Sequence, residues 1–91
     1  MSDMVARRVV VHGDVQGVFF RDGCQREAEQ AGVAGWVRNR PDGTVEALFE
    51  GDRQAVDRLC AWCESGPPDA EVASVDVTDE ETSGLPGFRV R

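Results

Sequence analysis

Residues 5–21 read VARRVVVHGDVQGVFFR, and they contain the patterns of the first strand, loop and helix. Val5 to His12 is rich in valine and stops at Gly13, which predicts a β-strand. A loop from Asp14 to Phe20 follows, with glycines at positions 13 and 17. Apolar residues then recur at the spacing of one helical face: Phe20, Cys24, Ala28 and Ala31. The stretch therefore predicts a strand, a loop and a helix that ends near Gly32.

The middle of the chain predicts a β-hairpin. Gly35 to Asn39 contains aromatic and β-branched residues typical of a strand. The sequence Pro41-Asp42-Gly43 is typical of a tight turn, because proline fixes φ and glycine permits a positive φ. Thr44 to Glu50 alternates, with Val45, Ala47 and Phe49 on one side. We therefore expect residues 35–40 to pair with residues 44–50.

A second helix and two strands are predicted after the hairpin. Asp52 is a suitable N-cap, and Gly66-Pro67-Pro68 is a suitable end. The apolar positions between them are Val56, Leu59, Cys60 and Cys63. Val72 to Thr78 alternates, with Ala73, Val75 and Val77 on one face. Asp79 to Ser83 is expected to be a solvated acidic loop, and Phe88 to Val90 a short final strand.

The order of these elements, βαββαβ with a small C-terminal strand, indicates the fold class. Crossovers between parallel strands of one sheet are right-handed, so both helices should lie on the same face. We predict an α+β fold, a ferredoxin-like α/β sandwich with an antiparallel sheet and two helices on one face. The length of 91 residues fits one domain.

Composition limits the possible partners. Lys and Arg number 10 against 17 Asp and Glu, which gives a net charge of −7. Such a chain repels nucleic-acid backbones, so no nucleic-acid partner is expected. No apolar run approaches the roughly 20 residues of a membrane helix, and the first residues lack a signal-peptide apolar region. We expect a monomer in the cytoplasm that does not contact a membrane.

The cysteines and the single histidine invite other hypotheses. Cys60 and Cys63 form a CxxC pattern, which with Cys24 and His12 could supply four zinc ligands. The spacing of Cys24 and His12 is not that of zinc ligands, and the CxxC lies within a predicted helix. We expect the cysteines to belong to the core, His12 to be a structural or surface residue, and no metal or cofactor to be bound.

The loop before the first helix has the features of an anion site. Helix N-termini carry unpaired N–H groups and a partial positive charge, and Gly17 allows the backbone to curl so that N–H groups converge. Arg21, in the first turn, could reach back over the same point with paired donors. On spacing alone, the same segment could equally be a tight connection with a surface arginine. Asp14 and Asp22 are expected to face solvent.

Two motifs resemble the acylphosphatase family. The first is Gly13-x-Val-Gln-Gly-Val-x-Phe-Arg21, and the second is Gly35-Trp-Val-x-Asn39 followed by the Asp42-Gly43 turn and Val45. The ending Gly-Phe-x-Val-Arg91 is also similar to the family's C-terminus. The resemblance covers residues 5–91, which we predict to be one acylphosphatase-like domain.

The resemblance implies a function and a set of site residues. It implies hydrolysis of acylphosphates, with Arg21 holding the phosphoryl group and Asn39 positioning the attacking water. The phosphate-binding backbone would be that of Val15, Gln16, Gly17, Val18, Phe19 and Phe20. The partner would be a small acylphosphate. Two alternatives stay open: a non-catalytic binding module on the same fold, and an accessory domain for carbamoyl transfer.

Overall fold

The predicted order of elements is present in the computed structural model, which describes residues 3–91. Met1 and Ser2, at the start of the segment that lacks a signal-peptide pattern, lie outside the described residues. The elements are β1 (Met4–Asp14), α1 (Phe20–Ala31), β2 (Ala34–Asn39), β3 (Val45–Asp52), α2 (Arg53–Cys63), β4 (Glu71–Glu80) and β5 (Phe88–Val90).

The strands form one five-stranded sheet in the order β4-β1-β3-β2-β5. β1, β2, β3 and β4 pair antiparallel, as predicted. β5 pairs in parallel with β2, so the complete sheet is mixed. This parallel pairing brings the C-terminal residues alongside the strand that carries Asn39.

The core lies between one face of the sheet and the two helices. Inward residues of the sheet and of both helices form one buried cluster that includes Val9, Val37, Phe49, Phe20 and Leu59. The predicted helix faces are correct at Phe20, Cys24, Ala28, Val56, Leu59 and Cys63, which are all buried. The helices also contact each other, because the rings of Phe20 and Trp62 lie 5.1 Å apart. Both helices therefore cover the same face, as the fold requires.

The start of α2 and the end of α1 are formed by the residues that the sequence predicts for them. The Asp52 side chain accepts a hydrogen bond from the main-chain N–H of Gln54 at 3.2 Å, which caps α2. Gly32 ends α1, where its N–H donates to carbonyl oxygens of the last turn.

Gly35 is required by the close approach of β2 to β3. Its φ is +139°, and a Cβ there would lie 1.7 Å from the carbonyl oxygen of Leu48. A residue with a side chain could occupy this position only if the two strands moved apart. The glycine of the second motif thus has a structural role in holding β2, and with it Asn39, against β3.

The prediction for β4 was wrong in two respects. A register shift between His12 and Gly13 turns Val72 instead of Ala73 toward the core, because a bulge changes the alternation of facing residues. The strand also continues to Glu80, so the acidic segment does not begin as a loop at Asp79. There, Asp79 and Glu80 pair with arginines of β1.

Candidate active site

The loop between β1 and α1 curls over the start of the helix. Gly17 and Phe19 have φ values of 74° and 66°, both in the left-handed region. Phe19 occupies the N-cap position, and no side chain caps the helix there. N–H groups at the start of α1 are thus left without a side-chain acceptor. Left-handed residues in a loop allow successive N–H groups to converge on one anion. This is an arrangement that favours an anion.

A pocket of about 280 Å³ opens in front of this loop. It brings together the loop, the first turn of α1 and the end of β2, with Arg21 and Asn39 in its wall. Its full lining is Val15, Gly17, Phe19, Phe20, Arg21, Asp22 and Asn39. The pocket therefore joins the two motifs that are separate in the sequence.

Gln16 and Val18 belong to the same loop but do not line this pocket. The Gln16 side-chain amide donates to the main-chain carbonyl oxygens of Arg40 at 2.7 Å and Thr44 at 2.9 Å. It therefore ties the loop to the chain that directly follows Asn39. The family resemblance implied only the backbone of Gln16 for the site, and no pattern in the sequence indicated this side-chain contact. Val18 lines a neighbouring hollow.

Arg21 is held by Arg91, the residue that follows β5. Its Nη1 donates to the main-chain oxygen of Arg91 at 3.1 Å, while the Arg91 N–H donates to the carbonyl of Val37 at 2.9 Å. The Arg91 guanidinium lies 4.7 Å from the centre of the Trp36 ring. One contact uses only part of the fork of guanidinium donors, so others can bind a ligand in the pocket. No signal in the sequence alone indicated the contact with Arg91.

The charged residues beside Asn39 are paired with acids. The Arg38 Nε donates to Glu46 at 2.7 Å, and the Arg8 guanidinium donates to the same carboxylate at 3.3 Å. Burial raises the pKa of Glu46, but the hydrogen bonds from the two arginines outweigh it and leave the pKa below its ordinary value. Arg40 lies 3.7 Å from Asp42. These pairs place the positive charge of Arg38 and Arg40 against carboxylates, which leaves Arg21 as the arginine of the pocket wall.

The two aspartates near the loop differ in position. Asp14 is exposed at the end of β1, as expected. Asp22 is also exposed, but it lies at the rim of the pocket. The pocket thus has one basic and one acidic side chain in its lining.

The remaining candidates lie elsewhere. The His12 Nε2 is 2.9 Å from Asp76 on the neighbouring strand. The three cysteines are free, and Cys24 and Cys63 are buried. Burial raises the pKa of the Cys60 thiol to about 11. The pKa of the Cys63 thiol is also raised, chiefly by its hydrogen bond with Cys24 and in addition by burial. The thiols of Cys60 and Cys63 therefore stay protonated near neutral pH, and protonated thiols are poor nucleophiles.

The described residues contain neither a metal-binding cluster nor a membrane-spanning helix. Among residues 3–91, no three His, Cys, Asp or Glu side chains are grouped so that they could hold a metal ion. Over the same residues, neither helix has the length and apolar character needed to cross a membrane.

Comparisons with known proteins agree with the two motifs. The family model described as acylphosphatase matches residues 7–90. A relative from Rubrobacter xylanophilus, named acylphosphatase, is 59% identical over 85 residues, which are 92% of this chain and 77% of the relative. The solved acylphosphatase structure from Coxiella burnetii matches with a TM-score of 0.94 and 37% identity, over 98% of this chain and 94% of that one. The acylphosphatase structure from Bacillus subtilis matches with a TM-score of 0.92 and 38% identity, over 96% and 98% of the two chains.

Proposed function

The chain belongs to the acylphosphatase family and hydrolyses the carboxyl–phosphate bond of acylphosphates, and we propose that Arg21 and Asn39 carry out this reaction. The observation that supports this assignment is the pocket that both side chains line, in front of an uncapped helix start. The products are a carboxylate and inorganic phosphate.

Phosphoryl binding is assigned to the loop and to Arg21. Main-chain N–H groups of residues 15–20 and the start of α1 would donate to the non-bridging oxygens. The guanidinium of Arg21 would donate to two of these oxygens and neutralise their charge. Phosphoryl transfer depends mainly on such positioning and charge stabilisation, so these groups supply most of the catalysis.

Asn39 is assigned to the attacking water. Its side-chain amide would hold the water in line with the bond that breaks. A new P–O bond forms from the water, and the bond to the acyl oxygen breaks with its electron pair on the departing carboxylate. The conjugate acid of that carboxylate has a pKa of about 4, so it leaves without a proton and needs no general acid. The proton of the water passes to a phosphoryl oxygen.

Two variants test this assignment with acetyl phosphate as substrate. We expect Arg21→Ala to lower kcat/KM by about 10³–10⁵ and to weaken inhibition by inorganic phosphate, because the phosphoryl charge loses its cation. We expect Asn39→Ala to lower kcat by about 10²–10³ with a smaller change in KM, because its contact is made chiefly with the reacting water. Arg58→Ala, on the exposed side of α2, is the matched control and should retain wild-type activity. Wild-type turnover by Asn39→Ala would remove Asn39 from the mechanism.

The same assay, run with EDTA, addresses the alternatives. A binding module or an accessory domain would not hydrolyse benzoyl phosphate above the buffer rate. We expect hydrolysis that EDTA does not reduce, because no step of the proposed mechanism uses a metal ion.

We further propose that residues 5–91 act as one domain, as a monomer in the cytoplasm, without a nucleic-acid partner. Three free cysteines fit a reducing compartment, and the net charge of −7 disfavours binding to nucleic acid. Light scattering at assay concentration tests the monomer, and cell fractionation tests the location.

A further inference from the structure

Trp36 belongs to the second motif but has no role in the mechanism derived above. It lies on β2, and its neighbour Val37 belongs to the core, so the Trp36 side chain points to the face of the sheet without helices. Two guanidinium groups lie over its ring, that of Arg91 at 4.7 Å from the ring centre and that of Arg38 at 5.7 Å. Both distances are within the range of about 6 Å in which a cation is attracted to an aromatic face.

The two arginines differ in their other partners. The guanidinium of Arg38 donates to Glu46 at 2.7 Å, so it is held without the ring. Within residues 3–91, Arg91 forms no ion pair with an Asp or Glu side chain. The contact with the Trp36 ring is therefore the one that holds the Arg91 side chain in this part of the chain.

Arg91 needs such a contact because it lies beyond the paired residues of β5. The pairing of β5 with β2 ends at Val90 and Val37, and one further hydrogen bond joins the Arg91 N–H to the carbonyl of Val37 at 2.9 Å. A single hydrogen bond leaves the residue free to rotate about it, whereas a second contact through the side chain restricts that rotation. The main-chain oxygen of Arg91, which accepts from Nη1 of Arg21 at 3.1 Å, then has a defined position.

We propose that Trp36 is a positioning residue: by holding Arg91, its ring keeps the main-chain oxygen of Arg91 where that oxygen orients the guanidinium of Arg21. The inference rests on the role in phosphoryl binding assigned above to Arg21. The donors of a guanidinium form a planar fork, so a contact at one Nη sets the direction of the others. Without this contact, Arg21 turns away from the productive geometry, and displacements of about 1 Å can cost 10²-fold in rate.

Two single variants remove the stacked pair from either side. Trp36→Leu replaces the ring with an aliphatic side chain, and Arg91→Gln removes the cation but keeps a polar side chain. We expect each variant to lower kcat/KM for acetyl phosphate about tenfold and to weaken inhibition by inorganic phosphate about threefold, because Arg21 is less well oriented. Trp36→Phe keeps an aromatic face and should recover most of both losses. Arg89→Gln is the matched control, since Arg89 is exposed and lies opposite Trp36 in the sheet, and it should retain wild-type values.

The double variant Trp36→Leu/Arg91→Gln distinguishes positioning from general packing. If Trp36 acts through Arg91, the double variant should lose no more than either single variant, about tenfold. Independent effects would multiply to about 100-fold. Arg91 is exposed, so Arg91→Gln should fold and test the contact even where Trp36→Leu does not.

The outcomes separate this inference from the proposed function. Wild-type kinetics and wild-type phosphate inhibition in Arg91→Gln would overturn the role of Trp36 and leave the proposed function intact, as would a 100-fold loss in the double variant. Wild-type activity in Arg21→Ala would instead remove Arg21 from the reaction, and the role of Trp36 would fail with it.

Discussion

At the scale of single residues, Gln16 connects the two halves of the site. Its amide donates to two main-chain carbonyl oxygens, those of Arg40 and Thr44, which close the turn after Asn39. The main-chain N–H of Arg40 donates to the carbonyl of Thr44 in the same turn. A contact of this kind fixes the distance between the phosphoryl loop and the amide assigned to the water. Small errors in such a distance reduce catalysis strongly.

The first prediction concerns Gln16→Glu. The variant keeps the shape of the side chain but replaces two N–H donors with a carboxylate facing two carbonyl oxygens. We expect a loss of stability of about 1–3 kcal/mol, because a carboxylate oxygen would then face the carbonyl oxygens of Arg40 and Thr44 with no donor between them. We expect kcat/KM for acetyl phosphate to fall about 100-fold, because the loop moves away from Asn39. Chemical denaturation and steady-state kinetics measure the two effects.

A matched substitution completes this test. Gln30→Glu makes the same chemical change on the exposed side of α1 and should alter neither quantity. Gln16→Ala should be less damaging than Gln16→Glu, since it removes the donors without adding a charge. Full activity in Gln16→Glu would show that the contact does not position the loop.

The sequence could predict that Arg21 and Asn39 share a pocket wall, but not what holds their side chains and the loop in place. Arg21 and Asn39 were found because each lies in a specific motif. The partners of Gln16 and Arg21 are main-chain carbonyls, which every residue has, so no residue type indicates them. The pairing of Arg38 with Glu46 likewise depends on the register between β2 and β3. Such contacts arise from the tertiary structure.

At the scale of elements, a glycine inside α1 allows the helices to approach. A Cβ at Gly23 would lie 2.9 Å from Cζ2 and 3.1 Å from Cη2 of Trp62 on α2. Glycine in a helix interior costs about 1 kcal/mol relative to alanine. The packing of Trp62 over Gly23 and against Phe20 offsets that cost.

We therefore predict that Gly23→Ala changes the free energy of unfolding in the opposite direction to the same substitution in most helices. In most helices this substitution is stabilising by about 1 kcal/mol. Here we expect a destabilisation of about 1–2 kcal/mol, because the added methyl group forces Trp62 to shift. In Gly23→Ala/Trp62→Leu the conflict is removed, and the methyl group should stabilise that double variant relative to Trp62→Leu. Thermal denaturation of the four proteins measures the coupling; additive effects would contradict the explanation.

The alternation of side chains along a strand predicts the buried face of the sheet only where the strand pairing is regular. Alternation correctly placed Val45, Ala47 and Phe49 in the core, because β3 is regular along its length. It failed at Ala73, because the register shift between His12 and Gly13 adds a residue to one strand. The bulge arises from the pairing of two distant segments, so neither segment indicates it alone.

Across the whole molecule, Glu50 links β3 to the loop that precedes β5. Its carboxylate accepts hydrogen bonds from the main-chain N–H groups of Ser83 at 2.8 Å, Gly84 at 2.8 Å and Leu85 at 3.2 Å. The N–H of Ser83 is the largest cause that lowers the pKa of Glu50, and those of Gly84 and Leu85 add to it against the opposing effect of burial. This loop leads into β5, and Arg91, which follows β5, accepts the hydrogen bond from Arg21.

The last prediction is that Glu50 contributes to stability in a pH-dependent way. Because the pKa of Glu50 is lower in the folded state, its contribution is complete above the unfolded value of about 4.3 and disappears as the pH falls through the folded value. We expect Glu50→Gln to reduce the free energy of unfolding by about 2 kcal/mol at pH 7 and by progressively less below pH 4.3. Chemical denaturation of both proteins across this pH range measures the difference. Glu81→Gln, in the exposed acidic loop, should show no such pH dependence. A difference that stays constant down to pH 2 would mean that the charge on Glu50 does not hold the loop.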